Sequence, residues 1–431
     1  MEKKALIIGF GVSGQSSAQA LLKQGYSVTV TDIKPEPCQN IPNVEFVSPE
    51  DLDVSEFDIA ILSPGVMPND LAYQKTRASN CRIIGEAQFG LSLLKPITLL
   101  GITGTNGKTT VTLMVNHILN YAGINSVAIG NVGIPVTEFA LKQNQEKVAV
   151  VELSSYQIDT LECQDFDAVV LLNVSPDHLD RYGTMESYAN SKIKVLDHVK
   201  MSGESWIFES CIENWSSLLK GKNYKIFGYG NNCIIKSDLD HIIFEENIET
   251  FLPLEYRGRC SHNIENILAA FSLCRFLGIS SQQFADGLAH FKKPSHRIEF
   301  VREHSGIRFF DDSKGTNIDA VMRAVESFKE PIVLIAGGLH KGCSYKTWLK
   351  PFKGRVKSIH AIGQASHQIK AELNEEIPVD VCVTLEDAVR SALNNAQKGD
   401  VVLLSPGCAS WDMFKSYVHR GEEFKKIVGS L

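Results

Sequence analysis

Short apolar runs that stop abruptly at glycine or a polar residue recur along the whole chain. Near the start, ALIIG precedes a helical stretch from Ala18 to Gln24, then YSVTVTD and later DIAILSPG. That alternation predicts βαβ units. After a Lys95-Pro96 break, ITLLGITGTNGKTTV opens a new strand that runs into a glycine-rich turn, and a domain boundary is placed there. VAVVELSS and DAVVLLNVS are continuously apolar before turning polar, as parallel strands buried on both faces do. From Glu204 to Glu255 the pattern predicts short mixed strands, and HNIENILAAFSLCRFLG is a helix closed by Gly278. From Pro294 on, IVLIAGG, VKSIHAIG and VVLLSPG alternate with helical stretches as a further doubly wound sheet. The expected class is α/β in three domains, residues 1–95, 96–293 and 294–431.

A chain of 431 residues exceeds what one core usually supports, which agrees with that division. Lys and Arg number 43 against 50 Asp and Glu, without a long basic block, which disfavours nucleic-acid binding. Ten dispersed cysteines with no C-x-x-C pair fit reduced thiols and a cytoplasmic location. Gly9, Gly11 and Gly14 interrupt the first apolar run, so it reads as a strand rather than a leader. No run approaches the roughly 20 apolar residues that span a bilayer, so no membrane insertion is expected.

Ligands of doubly wound sheets sit beyond the carboxyl ends of the strands, and the candidate chemistry gathers there. G-F-G-V-S-G from Gly9 to Gly14 follows the first strand, and Asp32 ends the next, a pattern that suits any nucleotide diphosphate. GITGTNGKTT is a phosphate loop: Gly104, Thr105, Asn106 and Gly107 offer backbone N–H groups and Lys108 neutralises phosphate. The Thr109 hydroxyl can reach magnesium, with Thr110 beside it, although Ile102 replaces the first glycine of the strict motif. Glu152 in ELSSYQ and His178 in LNVSPDH both follow predicted strands and could meet one magnesium, with Asp177 and Asp180 as alternative ligands. SHRIEF and DDSKGTN add Arg297, Asp312, Lys314 and Thr316, and the third sheet directs attention to Gly337, Gly338, Lys341, Ser405 and Ser410.

GTNGKTT, ELSSYQ, LNVSPDHLDRYG, HNIENILAA, SHRIEF, DDSKGTN and SPGCASWDMF occur in one order across all three segments. Together they resemble the Mur ligases, and within them the branch that joins D-glutamate to UDP-N-acetylmuramoyl-L-alanine with ATP. The resemblance implies a Rossmann-like N-terminal domain carrying UDP, a central P-loop ATPase-type α/β domain and a Rossmann-like C-terminal domain. It implies that Val12, Ser13, Asp32, Lys34 and Gly65 hold the uridine nucleotide, and that Asn131 and His178 approach the same substrate. It also implies that Asn266, Arg297 and Asp312 contact ATP, and that Thr316, Lys341, Ser410 and Tyr417 bind glutamate. Two magnesium ions would be held by Thr109, Glu152, His178 and a carbamate on Lys192. The expected chain is a monomer acting on small molecules, with Lys108, Glu152, His178 and Lys192 as the catalytic set.

His340, Gly407, Met413 and Gly315 depart from the usual family residues, which bears on the geometry around Lys341 and Ser410. The competing classes are weaker. An NAD-dependent oxidoreductase built on the first glycine motif leaves the phosphate loop without a task, and a non-catalytic scaffold would not need Lys108, Glu152, His178 and Lys192 together.

Overall fold

The computed structural model describes residues 3–33, 41–162, 165–254, 257 and 262–431. Among them three sheets form, each from the apolar runs noted above. The first contains β1 (Lys4–Ile8), β2 (Ser27–Thr31), β3 (Val44–Phe46), β4 (Ile59–Leu62) and β5 (Arg82–Gly85). All its pairs are parallel, in the order β3-β2-β1-β4-β5.

The second sheet begins with β6 (Thr98–Thr103), β7 (Ser126–Gly130), β8 (Val148–Glu152) and β9 (Phe166–Leu171). It continues through β10 (Val199–Phe208), β11 (Lys225–Gly228), β12 (Ile235–Ser237), β13 (His241–Phe244) and β14 (Asn247–Phe251). Its order is β14-β13-β12-β11-β10-β9-β6-β8-β7, with antiparallel pairing only at the β12-β13-β14 end. The short mixed strands predicted after Glu204 form that end. Leu100, Ile102, Val150, Ala168 and Val170 are buried, which is why these strands read as unbroken apolar runs. The helix His262–Phe276 packs ten buried residues on this sheet and ends before Gly278, whose φ is +76°.

The third sheet contains β15 (Glu299–His304), β16 (Ile307–Asp311), β17 (Ile332–Gly337), β18 (Val356–Ile362), β19 (Val379–Val381) and β20 (Val401–Leu404). The order is β15-β16-β20-β17-β18-β19, parallel except for the β15-β16 hairpin. That hairpin was not predicted: FVREH and IRFFD alternate as a half-exposed edge and carry no glycine-ended apolar run.

The chain divides into two compact units. One comprises residues 1–174 and 186–291, and the other 175–185 and 292–431. The first two sheets therefore share one unit. Glu86, at the start of the helix after β5, joins them by accepting from Thr137 N at 2.8 Å through Oε1. Burial raises the pKa of that carboxyl. His178 lies in the second unit although β9 belongs to the first, because residues 175–185 leave the sheet.

Candidate active site

Each sheet has a switch point, and candidate residues stand at each. In the first, β1 lies between β2 and β4, and the turns after β1 and β4 open a cleft of about 800 Å³. Val12, Ser13, Asp32, Gly65 and Asn131 all line it. Asp32 Oδ2 accepts from Phe10 N at 2.6 Å, and Ser63 Oγ donates to Gly9 O at 2.7 Å, so both turns are pinned. Val12 and Ile33 expose apolar surface on its rim. Lys34 lies outside the described residues.

In the second sheet β6 lies between β9 and β8, and the phosphate loop leaves its end. Asn173, two residues past β9, holds this loop on both sides. Its carbonyl accepts from Thr105 N, its Oδ1 from Asn106 N, and its Nδ2 donates to Asn106 O. Asn173 escaped the sequence reading, although its place directly after an apolar strand was the available signal. Lys108 Nζ donates to Gly104 O and Thr105 O, both at 2.8 Å, so the cation lies folded over the loop. Thr109 and Thr110 sit buried in the first turn of the helix Lys108–Tyr121. Asn266 rests on the same loop: a Cβ added to Gly107 would fall 2.3 Å from its Oδ1.

Glu152 is the last residue of β8 and is buried. Asn131 Nδ2 donates to its Oε1 at 2.7 Å, while Oε2 has no hydrogen-bond partner among the described residues. A buried carboxylate oxygen without a donor costs free energy that a cation would offset. Glu152 Oε2 is an oxygen of the kind a hard divalent ion takes as a ligand. Lys192 is 1% exposed, not the solvated helix lysine that its polar surroundings in sequence would suggest. Its Nζ donates to Gly104 O at 2.7 Å and lies over the Tyr188 ring at 4.8 Å. Lys108 and Lys192 thus share one carbonyl oxygen, so two ammonium groups would repel at close range.

The second unit holds the remaining residues. His178 adopts a left-handed backbone, φ +54°, at the start of the helical turn Leu179–Tyr182, a conformation uncommon in non-glycine residues but one that histidine takes more readily than most. Its Nε2 stands 3.6 Å from Asp177 Oδ2. Asp177 is buried, receives Lys341 Nζ at 3.1 Å and Asn317 Nδ2 at 3.3 Å, and so gathers a loop of the third sheet around it. Asp312 follows β16 and accepts from Ser405 Oγ at 2.7 Å. Burial pushes its carboxyl up to about 7, against the pull of the Ser405 bond and the half-buried Arg297. Thr316 lies half-buried on the same loop. Tyr417 opens the helix Tyr417–Gly429, accepts from Ser313 Oγ through its carbonyl, and carries Lys314 Nζ 4.0 Å above its ring. Ser410 is buried, with its carbonyl accepting from Phe414 N at 2.8 Å.

Two departures from the usual family residues have a local cause. A Cβ on Gly315 would lie 2.5 Å from Asp312 Oδ2, and one on Gly407 would lie 2.7 Å from the Trp348 ring. The two glycines are bonded to each other, Gly407 N donating to Gly315 O at 2.8 Å. Met413, a third departure, packs partly buried against the core that includes Phe424 and Leu404.

Comparison with known proteins agrees with this layout. Residues 3–85 match a family model described as the MurD-like N-terminal domain of Mur ligases, 102–274 the Mur ligase middle domain, and 296–408 the Mur ligase glutamate ligase domain. A relative from Protochlamydia amoebophila, named UDP-N-acetylmuramoylalanine--D-glutamate ligase, is 46% identical over 438 residues, covering 100% of this chain and 98% of its own. A relative of the same name from Alkaliphilus metalliredigens is 36% identical over 451 residues, covering 100% and 98%. Among solved structures, MurC from Thermotoga maritima superposes with a TM-score of 0.65 at 17% identity, covering 100% of both chains. MurF from the same organism, solved in complex with ADP, gives 0.63 at 17%, covering 100% of this chain and 96% of its own. Those two establish the fold. With three consecutive family domains and full-length relatives well above 30% identity, the chain belongs to the Mur ligase family.

Proposed function

We propose that this chain is an ATP-dependent ligase that adds D-glutamate to UDP-N-acetylmuramoyl-L-alanine in peptidoglycan precursor synthesis. The observation that carries the reading is Asn131, which lines the cleft of the first sheet and holds Glu152 beside the phosphate-loop strand. A nucleotide-bearing substrate lying in that cleft can present its far end to the phosphate loop. ATP is the fitting co-substrate for such a loop, and the ADP complex of MurF supports it.

The alanine carboxylate is a poor electrophile, since its charge repels a nucleophile and oxide is a poor leaving group. Transfer of the γ-phosphoryl group gives an acyl phosphate. The glutamate amine then adds to form a tetrahedral intermediate, which expels phosphate and leaves the amide. Lys108 must swing from Gly104 O and Thr105 O to the phosphate oxygens, a short move because all three belong to one loop. Thr109, Glu152, His178 and a carbamate on Lys192 would hold two magnesium ions, which supply charge stabilisation when bound. Asn266 and the Arg297–Asp312 pair serve ATP, with Val12, Ser13, Asp32, Lys34 and Gly65 on the uridine nucleotide. Thr316, Lys341, Ser410 and Tyr417 serve the amino acid, Lys341 by charge-assisted bonding to a carboxylate.

Residues 1–95, 96–293 and 294–431 divide these three ligand tasks. We place the protein in the cytoplasm as a monomer; the free state of every described cysteine supports a reducing compartment. No helix among the described residues is long and apolar enough to cross a membrane. Phosphate release with ATP and UDP-N-acetylmuramoyl-L-alanine, measured across D- and L-amino acids, should be specific for D-glutamate. Turnover with a different amino acid alone would overturn the substrate assignment.

A further inference from the structure

Lys341 and Ser410 stand on loops that leave neighbouring strands, β17 and β20. A short backbone bridge ties the loops: Leu339 N donates to Ala409 O at 2.8 Å, and Ala409 N to Leu339 O at 3.2 Å. Beside it lies Tyr345, 1% exposed, whose hydroxyl is 3.0 Å from Cys408 Sγ and 3.1 Å from His340 Nδ1. One neighbour of that hydroxyl immediately precedes Lys341, and the other lies two residues before Ser410.

The phenol is held in place from behind. Its ring meets Trp348 edge-on at 5.0 Å, Trp348 stacks on Phe352 at 5.2 Å, and the Trp348 indole donates to Ile318 O at 3.0 Å. Trp348 in turn fills the space where Gly407 would carry a side chain. Cys408 is fixed on its other side, because its carbonyl accepts from both Nη atoms of the buried Arg420, each at 3.2 Å. Burial raises the Cys408 thiol to about 11, so it keeps its proton and can donate to the phenol oxygen, leaving the phenol proton for His340.

We propose that Tyr345 is a positioning residue that sets the spacing between Lys341 and Ser410, and with it the affinity for a carboxylate of the incoming amino acid. The proposal rests on the amino-acid site assigned above. His340 and Gly407, which depart from the usual family residues, belong to this one assembly: His340 accepts the link, and Gly407 makes room for the aromatic support beneath it.

Tyr345→Phe removes only the oxygen and keeps the ring packing. A lost buried hydrogen bond of ordinary strength should raise the KM for D-glutamate about fivefold to tenfold, with kcat and the KM for ATP within about twofold of wild type. Cys408→Ala should produce the same split, and the double variant should be little worse than either single one, since both remove one link. Cys408→Ser, which keeps a donor and acceptor, should stay near wild type. An unchanged KM for the amino acid in Tyr345→Phe, an equal rise in the KM for ATP, or additive effects in the double variant would overturn the proposal. Should Tyr345→Phe unfold, His340→Ala and Cys408→Ala report the same split from the two ends of the link. If wild type turns over a different amino acid, the substrate assignment fails alone and the KM for that amino acid tests Tyr345.

Discussion

Lys192 and Lys108 donate to the same carbonyl of Gly104, and on the proposed function one of them would change its charge or its place when phosphate and metal bind. Carbon dioxide adding to a neutral Lys192 amine would give a carbamate, which reverses the sign and offers oxygens of the kind magnesium prefers. Lys192→Ala should then lose activity, a short carboxylic acid in solution should restore part of it, and Lys192→Arg should not be rescued. Labelling with 13C-bicarbonate should give a carbamate resonance in wild type that Lys192→Ala lacks; its absence in wild type would remove the carbamate. Asp312 makes a second prediction at this scale. Its folded-state pKa of about 7 lies above the ordinary 3.8, so the folded chain binds the extra proton in between. Its contribution to stability is full below about pH 4 and is lost as pH rises through about 7. Asp312→Asn should flatten the pH dependence of the melting temperature over that window, and an unchanged slope would show that Asp312 ionises as an ordinary carboxylate.

At the scale of elements, the ends of β1, β2, β4, β6, β7, β8, β9, β16, β17 and β20 carry most of the candidate site residues, with Lys192 and Asn266 on helices. This is why so much was legible in the sequence. An apolar run that ends in glycine or a polar residue marks both a buried strand and the edge where candidate groups emerge, so the glycine motif, GTNGKTT and Glu152 were singled out by one signal, whereas Asp312 follows the unpredicted β16 and stood out only through the charged turn DDSKGTN. Lys192 could be placed on a helix but not inside the protein, because its burial depends on Gly104 and Tyr188 meeting it in space. Arg420 and the Tyr345–Cys408 link were missed for the same reason: their partners Ser313 and Cys408 are 107 and 63 residues away, and no periodicity encodes them. The turn after β20 allows a sharper test. Gly407 has φ +68° and faces the Trp348 ring, so Gly407→Ala adds left-handed strain to overpacking. It should destabilise the second unit by about 2–4 kcal/mol in a denaturant titration. A loss below about 1 kcal/mol would mean that Trp348 yields easily.

At the scale of the whole molecule, the second unit is discontinuous: residues 175–185 belong with 292–431, and the chain between them builds part of the other unit. Through Ser175 Oγ to Asp319, and through Asp177 to Lys341 and Asn317, this short excursion is tied to the later segment. Its consequence is temporal. A ribosome delivers roughly 5–20 residues each second, so these residues emerge roughly ten seconds before the strands that receive them. Until then Asp177 lacks the Lys341 and Asn317 partners that it has in the folded chain. A fragment starting at residue 292 would lack Asp177, and Lys341 would have lost its carboxylate partner. Adding residues 175–185 as a separate peptide should raise that fragment's melting temperature, whereas the same peptide carrying Asp177→Asn should do so less. Equal effects of the two peptides would mean that the excursion is retained for its backbone alone.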